Sequence, residues 1–181
     1  MGVMTPPAAT PDEIRAAIRN IPDFPKPGIQ FKDITPVLAD ARLLGATIEA
    51  LAAGFQPGSV DAVVGIDARG FIFGAAVALR LEAGFVPVRK PGKLPWKTFE
   101  ESYALEYGTN TLAIHQDALR PGARVLLVDD LLATGGTAVA TASLVQRAGG
   151  RVLHASFLVE LGFLKGRERL TAFPVSAVVT F

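Results

Sequence analysis

The sequence contains no cysteine among its 181 residues. Disulfide scaffolds, iron–sulfur clusters, cysteine-ligated zinc and thiol nucleophiles are therefore excluded. Histidine is nearly as scarce, since the chain has two, so a metal centre built from several histidines is not expected. The missing cysteines are compatible with a reducing compartment. The chemistry that remains uses carboxylates, hydroxyls, cationic side chains and backbone groups.

An excess of charge is also missing, because 18 Lys and Arg face 17 Asp and Glu for a net charge of +1. Neutralising nucleic-acid phosphates requires an excess of basic residues, so we expect no nucleic-acid partner. No apolar run approaches the roughly 20 residues of a membrane-spanning helix, and the N-terminus does not resemble a secretory signal. We therefore expect a cytoplasmic protein without a membrane partner. A small phosphorylated ligand stays compatible with this charge.

Two common phosphate-binding motifs are absent as well. No two of the 18 glycines stand two positions apart, which rules out the GxGxxG fingerprint of dinucleotide-binding proteins. Residues 65–70 have the glycine spacing of a P-loop, but Phe71 stands where that loop needs a lysine. Dinucleotide oxidoreductases and P-loop NTPases are thereby excluded.

Half of the residues are apolar, and their order along the chain predicts an α/β fold. Short aliphatic runs alternate with helical segments, which is typical of a parallel sheet covered by helices. No linker divides the chain, so residues 1–10 are expected to form a flexible tail and residues 11–181 a single domain. The predicted strands are residues 62–66, 85–88, 111–115, 124–128, 152–159 and 176–180. The predicted helices are residues 11–18, 40–53, 70–81 and 137–148, and residues 21–28 and 89–101 are predicted to be irregular.

The run VLLVDDLLATGGT at residues 125–137 predicts a site for a sugar phosphate. Asp129 and Asp130 follow a buried strand and stand at its carboxyl end, where open α/β sheets bind ligands. The glycines of the next turn let a ligand approach the backbone, and the helix N-terminus behind them offers free N–H groups. Carboxylates would repel a bare anion but bind the hydroxyls of a phosphorylated sugar. The phosphate-binding candidates in this turn are Ala133, Thr134, Gly135, Gly136 and Thr137.

This run resembles the phosphoribosyl-pyrophosphate (PRPP) binding motif of the type I phosphoribosyltransferases. The resemblance extends to residues 24–34 (FPKPGIQFKDI), 68–71 (ARGF), 88–95 (VRKPGKLP) and 105–108 (LEYG). These strings are together similar to the adenine phosphoribosyltransferase family, in order from about residue 14 to the C-terminus. The resemblance implies a parallel-rich central sheet flanked by helices, a mobile catalytic loop and an N-terminal hood that recognises the base.

The resemblance also implies an activity, namely transfer of the 5-phosphoribosyl group from PRPP to adenine to give AMP and pyrophosphate. It implies a homodimer and a requirement for Mg²⁺, which PRPP oxygens and water would hold without a dedicated protein cage. In such a site residues 133–137 would hold the 5′-phosphate, while Asp129 and Asp130 would bind the ribose and favour a cationic centre. The pyrophosphate would contact Arg69, Lys90 and Lys93. A cis peptide bond is expected between Asp67 and Ala68.

For the base, the resemblance implies that Glu106 does the acid–base work on the adenine ring and that Tyr107 closes over the site. Main-chain groups around Gln30 and Lys32 would read the edge of adenine, with Phe31 supporting them. Lys32 stands where many relatives carry arginine, which would remove planar stacking and forked hydrogen bonding.

Two other functions remain open from the sequence. One is a phosphoribosyltransferase for another purine such as hypoxanthine or xanthine, against which the LEYG string and the early Pro-rich segment argue. The other is a non-catalytic regulator that senses PRPP and binds nucleic acid. A regulator of that kind needs an added DNA-binding domain or a basic face, which a chain of this size and charge does not offer.

Overall fold

A computed structural model describes residues 8–104 and 109–181, which form two compact units. The first unit ends at Ala50, and the second runs from Leu51 to Phe181. Two predicted catalytic residues, Glu106 and Tyr107, lie outside the described residues, and so do residues 1–7 of the predicted tail. Because the chain divides into two compact units, the single domain stays a prediction.

Within its described residues, the first unit carries three helices and a β-hairpin. In chain order these are α1 (Pro11–Ala17), β1 (Arg19–Pro22), β2 (Gln30–Asp33), α2 (Thr35–Ala39) and α3 (Ala41–Leu51), whose last residue begins the second unit. A capping box starts α1, because the Thr10 hydroxyl accepts the Glu13 N–H and the Glu13 carboxylate accepts the Thr10 N–H.

The hairpin corrects part of the prediction for residues 21–28. Their first two residues belong to β1, which pairs antiparallel with β2 from Arg19 opposite Asp33 to Pro22 opposite Gln30. Proline is tolerated at the edge of such a ribbon, where its missing N–H leaves no ladder bond unmade. The prolines of residues 21–28 predicted irregular structure, but local composition could not show that β2 pairs with the first two of these residues.

The second unit contains most of the regular structure. In chain order it comprises β3 (Ala62–Ile66), α4 (Gly70–Arg80), β4 (Gly84–Val88), β5 (Thr98–Ala104), β6 (Thr109–His115), β7 (Arg124–Leu132), α5 (Gly136–Arg147), β8 (Arg151–Glu160), two 3-10 turns (Gly162–Leu164 and Gly166–Arg169) and β9 (Val175–Thr180). None of the described helices is long and apolar enough to cross a membrane.

Five strands form a parallel sheet in the order β4-β3-β7-β8-β9, which confirms the predicted α/β class. The chain leaves β3 through α4 to reach β4 on one side, and it leaves β7 through α5 to reach β8 on the other. The connections thus diverge between β3 and β7. Open α/β sheets form their ligand crevice at such a switch point, beyond the carboxyl ends of the strands.

The two central strands, β3 and β7, are buried along nearly their whole length. All five residues of β3 are buried, as are Val125 to Val128 in β7. Val64 and Leu127 join one hydrophobic cluster with Leu144 of α5. This two-sided burial explains why these strands appear in the sequence as continuous aliphatic runs rather than alternating ones.

A second, antiparallel hairpin corrects the prediction that residues 89–101 are irregular. Residues 98–101 belong to β5, which pairs with β6 from Thr98 opposite His115 to Ala104 opposite Thr109. Phe99 and Tyr103 of β5 pack against the hydrophobic cluster. The predicted strand at residues 111–115 exists as part of β6, but it belongs to this two-stranded sheet rather than to the parallel one.

Candidate active site at the switch point of the sheet

A cavity of about 330 Å³ opens beyond the carboxyl ends of β3 and β7. Residues that follow β3 form one wall, and the end of β7 with the turn before α5 forms another. The structure brings eight of the predicted site residues to this cavity, and they are Arg69, Lys90, Asp129, Asp130, Ala133, Thr134, Gly135 and Thr137. Residues far apart in the sequence therefore share one crevice.

Other predicted residues lie elsewhere within the described part of the chain. Lys93 does not line this cavity, and its backbone carbonyl accepts a hydrogen bond from Arg89 at 3.2 Å. Gly136 is the first residue of α5 and does not line the cavity. Gln30, Phe31 and Lys32 belong to β2 of the first unit.

The phosphate turn, residues 133–137, leads from β7 into the first turn of α5. Gly135 caps the helix in the left-handed conformation with φ +81°. A Cβ at this position would lie 2.5 Å from the carbonyl oxygen of Gly166, so both conformation and space require glycine. The first N–H groups of a helix have no partner within it and carry partial positive charge, which suits an anion at this end of α5.

Tyr103 of β5 also reaches the phosphate turn, although no motif in the sequence indicated it. Its hydroxyl lies 2.9 Å from Oγ1 of Thr137, and a Cβ built on Gly136 would meet its ring at 3.0 Å. Tyr103 lines the same cavity, together with Asn110 and Thr111 of β6. No local motif marks these residues, because the pairing of β5 with β6 brings them here.

Asp129 and Asp130 are both buried, with 8% and 7% of their surfaces exposed. The Asp130 N–H donates to Oδ1 of Asp129 at 2.9 Å, and Oδ2 of Asp130 lies 2.7 Å from Nε of Arg69. Burial raises the pKa of both carboxyls; the negative charge of Asp130 raises the pKa of Asp129 further, whereas Arg69 opposes the rise at Asp130. Two carboxylates held away from water in this way favour hydroxyl donors or positive charge beside them.

The turn after β3 is shaped to fit against these acids. The peptide bond between Asp67 and Ala68 is cis, as expected from the family resemblance. A Cβ at Gly70, the first residue of α4, would lie 2.6 Å from Oδ1 of Asp129. Glycine is therefore needed there for the carboxylate to approach the backbone of α4. Asp67 is itself bound by Arg89, whose Nε lies 3.0 Å from its Oδ2.

The donor set of the cavity fits a hard cation that brings most of its own ligands. Within residues 8–104 and 109–181, no group of three or more His, Asp or Glu side chains is placed to hold a metal ion. Asp129 and Asp130 nevertheless offer carboxylate oxygens, which Mg²⁺ prefers. This set would suit Mg²⁺ whose remaining ligands are substrate oxygens and water.

The three residues predicted to recognise a base form one edge of the first hairpin. Asn20 of β1 donates to Oε1 of Gln30 at 2.6 Å and accepts from Nζ of Lys32 at 3.2 Å. The ring of Phe31 packs edge-on against Phe24 with 5.0 Å between their centroids. Asn20 thus holds the side chains of Gln30 and Lys32 in line along the strand.

Comparison with known proteins finds close relatives over nearly the whole chain. Residues 36–171 match the phosphoribosyl transferase domain family. The sequence is 56% identical to the adenine phosphoribosyltransferase of Roseiflexus sp. (strain RS-1), over 91% of this chain and 95% of that protein.

Solved structures agree with this match. The crystal structure of adenine phosphoribosyltransferase from Rhodothermus marinus DSM 4252 is similar with a TM-score of 0.90 and 57% identity, covering 94% of this chain and 98% of that one. The Saccharomyces cerevisiae enzyme, complexed with D-2,5-dideoxy-2,5-imino-altritol 1,6-bisphosphate and adenine, is similar with a TM-score of 0.88 and 40% identity, covering 93% and 98%.

Proposed function

The chain belongs to the adenine phosphoribosyltransferase family, and we propose that it carries out the family's reaction in the cavity beyond β3 and β7. The enzyme transfers the 5-phosphoribosyl group from PRPP to adenine and releases AMP and pyrophosphate, a step of purine salvage. One observation carries the assignment of the cavity. Two buried carboxylates stand beside a glycine-rich helix N-terminus, and a phosphorylated sugar presents hydroxyls and a phosphate to match them.

The 5′-phosphate of PRPP binds the phosphate turn. The backbone N–H groups at the start of α5 donate to its oxygens, and the hydroxyls of Thr134 and Thr137 add two further donors. The left-handed Gly135 supports this role, because it turns the chain sharply into the helix. The ribose hydroxyls donate to Asp129 and Asp130 at the end of β7.

The pyrophosphate group contacts three cationic side chains, those of Arg69, Lys90 and Lys93. Arg69 and Lys90 line the cavity, which supports direct contact for both. Pyrophosphate accumulates negative charge as it leaves, so fixed cations stabilise the transition state more than the ground state. Asp129 and Asp130 are the candidate protein ligands of Mg²⁺, which would supply additional positive charge to the leaving group.

The reaction breaks the bond between the anomeric carbon and the pyrophosphate oxygen and forms the bond from adenine N9 to that carbon. Positive charge develops on the ribose between these events. Asp129 and Asp130 stabilise it, because their own charges are poorly solvated in the cavity. Glu106 takes the N9 proton and Tyr107 closes over the site, as the family resemblance implies.

Adenine is read by the main chain of β2 at Gln30 and Lys32, with Phe31 supporting it. The 6-amino group of adenine needs an acceptor, whereas a 6-oxo base presents an acceptor in its place. Fixed backbone groups reject the wrong pattern because a buried polar group would be left unpaired. The hydrogen bonds that join Asn20 to Gln30 and Lys32 support this proposal, since they hold both side chains along the strand.

The enzyme works as a cytoplasmic homodimer. Ile72 and Leu79, on the same helix α4, are 45% and 81% exposed. They stand seven positions apart and so lie on one face of the helix. An exposed apolar face on an element that begins beside Arg69 supports a second copy of the chain as its cover.

A competition between bases tests the function. Wild-type enzyme receives PRPP, Mg²⁺ and equal amounts of adenine, hypoxanthine, guanine and xanthine, and the nucleotides formed are separated and identified. AMP as the sole nucleotide is the expected result. Another monophosphate would contradict the base selection while leaving the PRPP site intact, and PRPP binding without any product would favour a regulator.

A further inference from the structure

The support segment, Gly166–Arg169, packs against the back of the phosphate turn. A Cβ on Gly166 would lie 2.1 Å from the carbonyl oxygen of Ala133 and 2.9 Å from the nitrogen of Gly135. Arg169 donates from Nη1 to the carbonyl oxygen of Thr134 at 3.3 Å. Three consecutive residues of the phosphate turn therefore contact this one segment.

Arg167 fastens the support segment to the sheet. Its guanidinium makes a forked pair with the Glu160 carboxylate, with Nε 3.1 Å from Oε1 and Nη2 2.5 Å from Oε2. The remaining Nη1 donates to the carbonyl oxygen of Val175. Arg167 thereby joins the end of β8 to the start of β9, and its planar fork fits the carboxylate in one orientation.

Glu160 connects the support segment to the strand that leads into the phosphate turn. It is the last residue of β8, it is 6% exposed, and its register partner in β7 is Leu132. Leu132 directly precedes Ala133, the first residue of the phosphate turn. The strand that leads into the turn and the segment behind the turn are thus both held at Glu160. A buried carboxylate needs its partner, because an unpaired charge there is costly.

We propose that Glu160 and Arg167 are positioning residues for the 5′-phosphate, acting through the support segment on the phosphate turn. The inference rests on the proposed function, which assigns the 5′-phosphate to that turn. Backbone N–H groups stabilise an anion well when they are aimed before it arrives. The ion pair keeps the support segment against the turn and so keeps these N–H groups aimed.

The ligands of the reaction separate this role from general stability. PRPP and AMP carry a 5′-phosphate, whereas adenine and pyrophosphate do not. In Glu160→Gln and Arg167→Met, we expect the KM for PRPP, and for AMP in the reverse reaction, to rise about tenfold. The KM values for adenine and pyrophosphate should change less than about twofold. The double variant should resemble each single one, because both remove the same contact.

Two further variants make the test decisive. Asp61→Asn removes a carboxylate that pairs with Arg124 and Arg120 at the amino ends of β3 and β7, away from the cavity. It should lower the Tm and leave all four KM values unchanged. Arg167→Lys keeps the charge but loses the fork, so it should show a smaller rise for PRPP and AMP, and it serves if the other variants fail to fold.

A lowered Tm with all four KM values unchanged in Glu160→Gln, Arg167→Met and Arg167→Lys would overturn the proposal, and so would an equal rise in all four. A rise confined to PRPP and AMP supports it. If the wild-type enzyme forms no AMP at all, the proposed function fails instead, and it does so before any variant is compared.

Discussion

Nε of Arg69 lies 2.7 Å from Oδ2 of Asp130, so a residue proposed to bind pyrophosphate is paired with one proposed to bind ribose. The two groups of PRPP that they would contact meet at the anomeric carbon, where the bond breaks. Arg69 also counteracts the rise in the pKa of Asp130 that burial causes. The ion pair therefore favours the charged form of the Asp130 carboxyl, which is proposed to face the anomeric carbon.

The first prediction concerns this pair. Arg69→Gln and Asp130→Asn should each lower kcat/KM for PRPP by about 100-fold, since each removes a charge that stabilises the transition state. The double variant should lose far less than the product of the two, because either change already breaks the pair. Steady-state kinetics on the three variants measure this. Losses that multiply would mean that the residues act independently, and wild-type kinetics in Asp130→Asn would remove it from the site.

Asp129 provides a prediction about pH. Burial, and then the charge of Asp130, hold the pKa of Asp129 well above its ordinary value of 3.8. At pH values below 3.8 the Asp129 carboxyl is protonated in both the folded and the unfolded protein, so its burial does not lower the stability of the fold. As pH rises from there through the raised pKa, the unfolded state ionises first and the stability of the fold falls.

Asp129→Asn should therefore have a higher Tm than the wild type, with a difference that grows as the pH rises above about 4. The variant should nevertheless lose about 100-fold in kcat/KM, because the ribose loses a carboxylate partner. Thermal unfolding across this pH range and kinetics at neutral pH check both statements. A Tm difference that is constant with pH would show that burial of this carboxylate does not limit stability.

Gly135→Ala tests the phosphate turn. The added methyl meets the carbonyl oxygen of Gly166 at 2.5 Å and also strains a left-handed residue, so AMP affinity should fall at least about tenfold. Gly122→Ala is the matched control, since Gly122 has φ +77° with no atom near its missing Cβ. It should be destabilised by about 1 kcal/mol and bind AMP normally. Calorimetric titration with AMP distinguishes them, and wild-type affinity in Gly135→Ala would refute the turn assignment.

Tyr103→Phe tests whether the tyrosine hydroxyl beside Thr137 contributes to phosphate binding. Losing the hydroxyl leaves Oγ1 of Thr137 without its bond of 2.9 Å, which should weaken AMP binding about fivefold. Ser102→Ala, which removes the neighbouring hydroxyl bond to Thr111, should leave AMP binding unchanged. The two dissociation constants are compared by titration. Equal effects would mean that the hairpin, rather than the tyrosine hydroxyl, matters to the site.

Local sequence accounted for the strand, acid, turn and helix order at residues 125–137, since these features follow from neighbouring residues. Four aliphatic residues predict the buried strand, and Gly135 marks the left-handed entry to α5. The cis bond after Asp67 was expected from a family pattern, which likewise extends over few residues. Glu106 and Tyr107 were selected in the same way, and their roles stay predictions.

Contacts between distant parts of the chain account for what the patterns could not reveal. Residues 98–101 look irregular alone, yet they form a strand because β6 lies beside them. Tyr103 reaches Thr137 across 34 positions, and Arg169 reaches Thr134 across 35. A pattern of neighbouring residues encodes the preference of each segment for helix, strand or turn. It does not encode which distant segment packs behind the phosphate turn. The support segment, Gly166–Arg169, lies there because the packing of the completed sheet places it there.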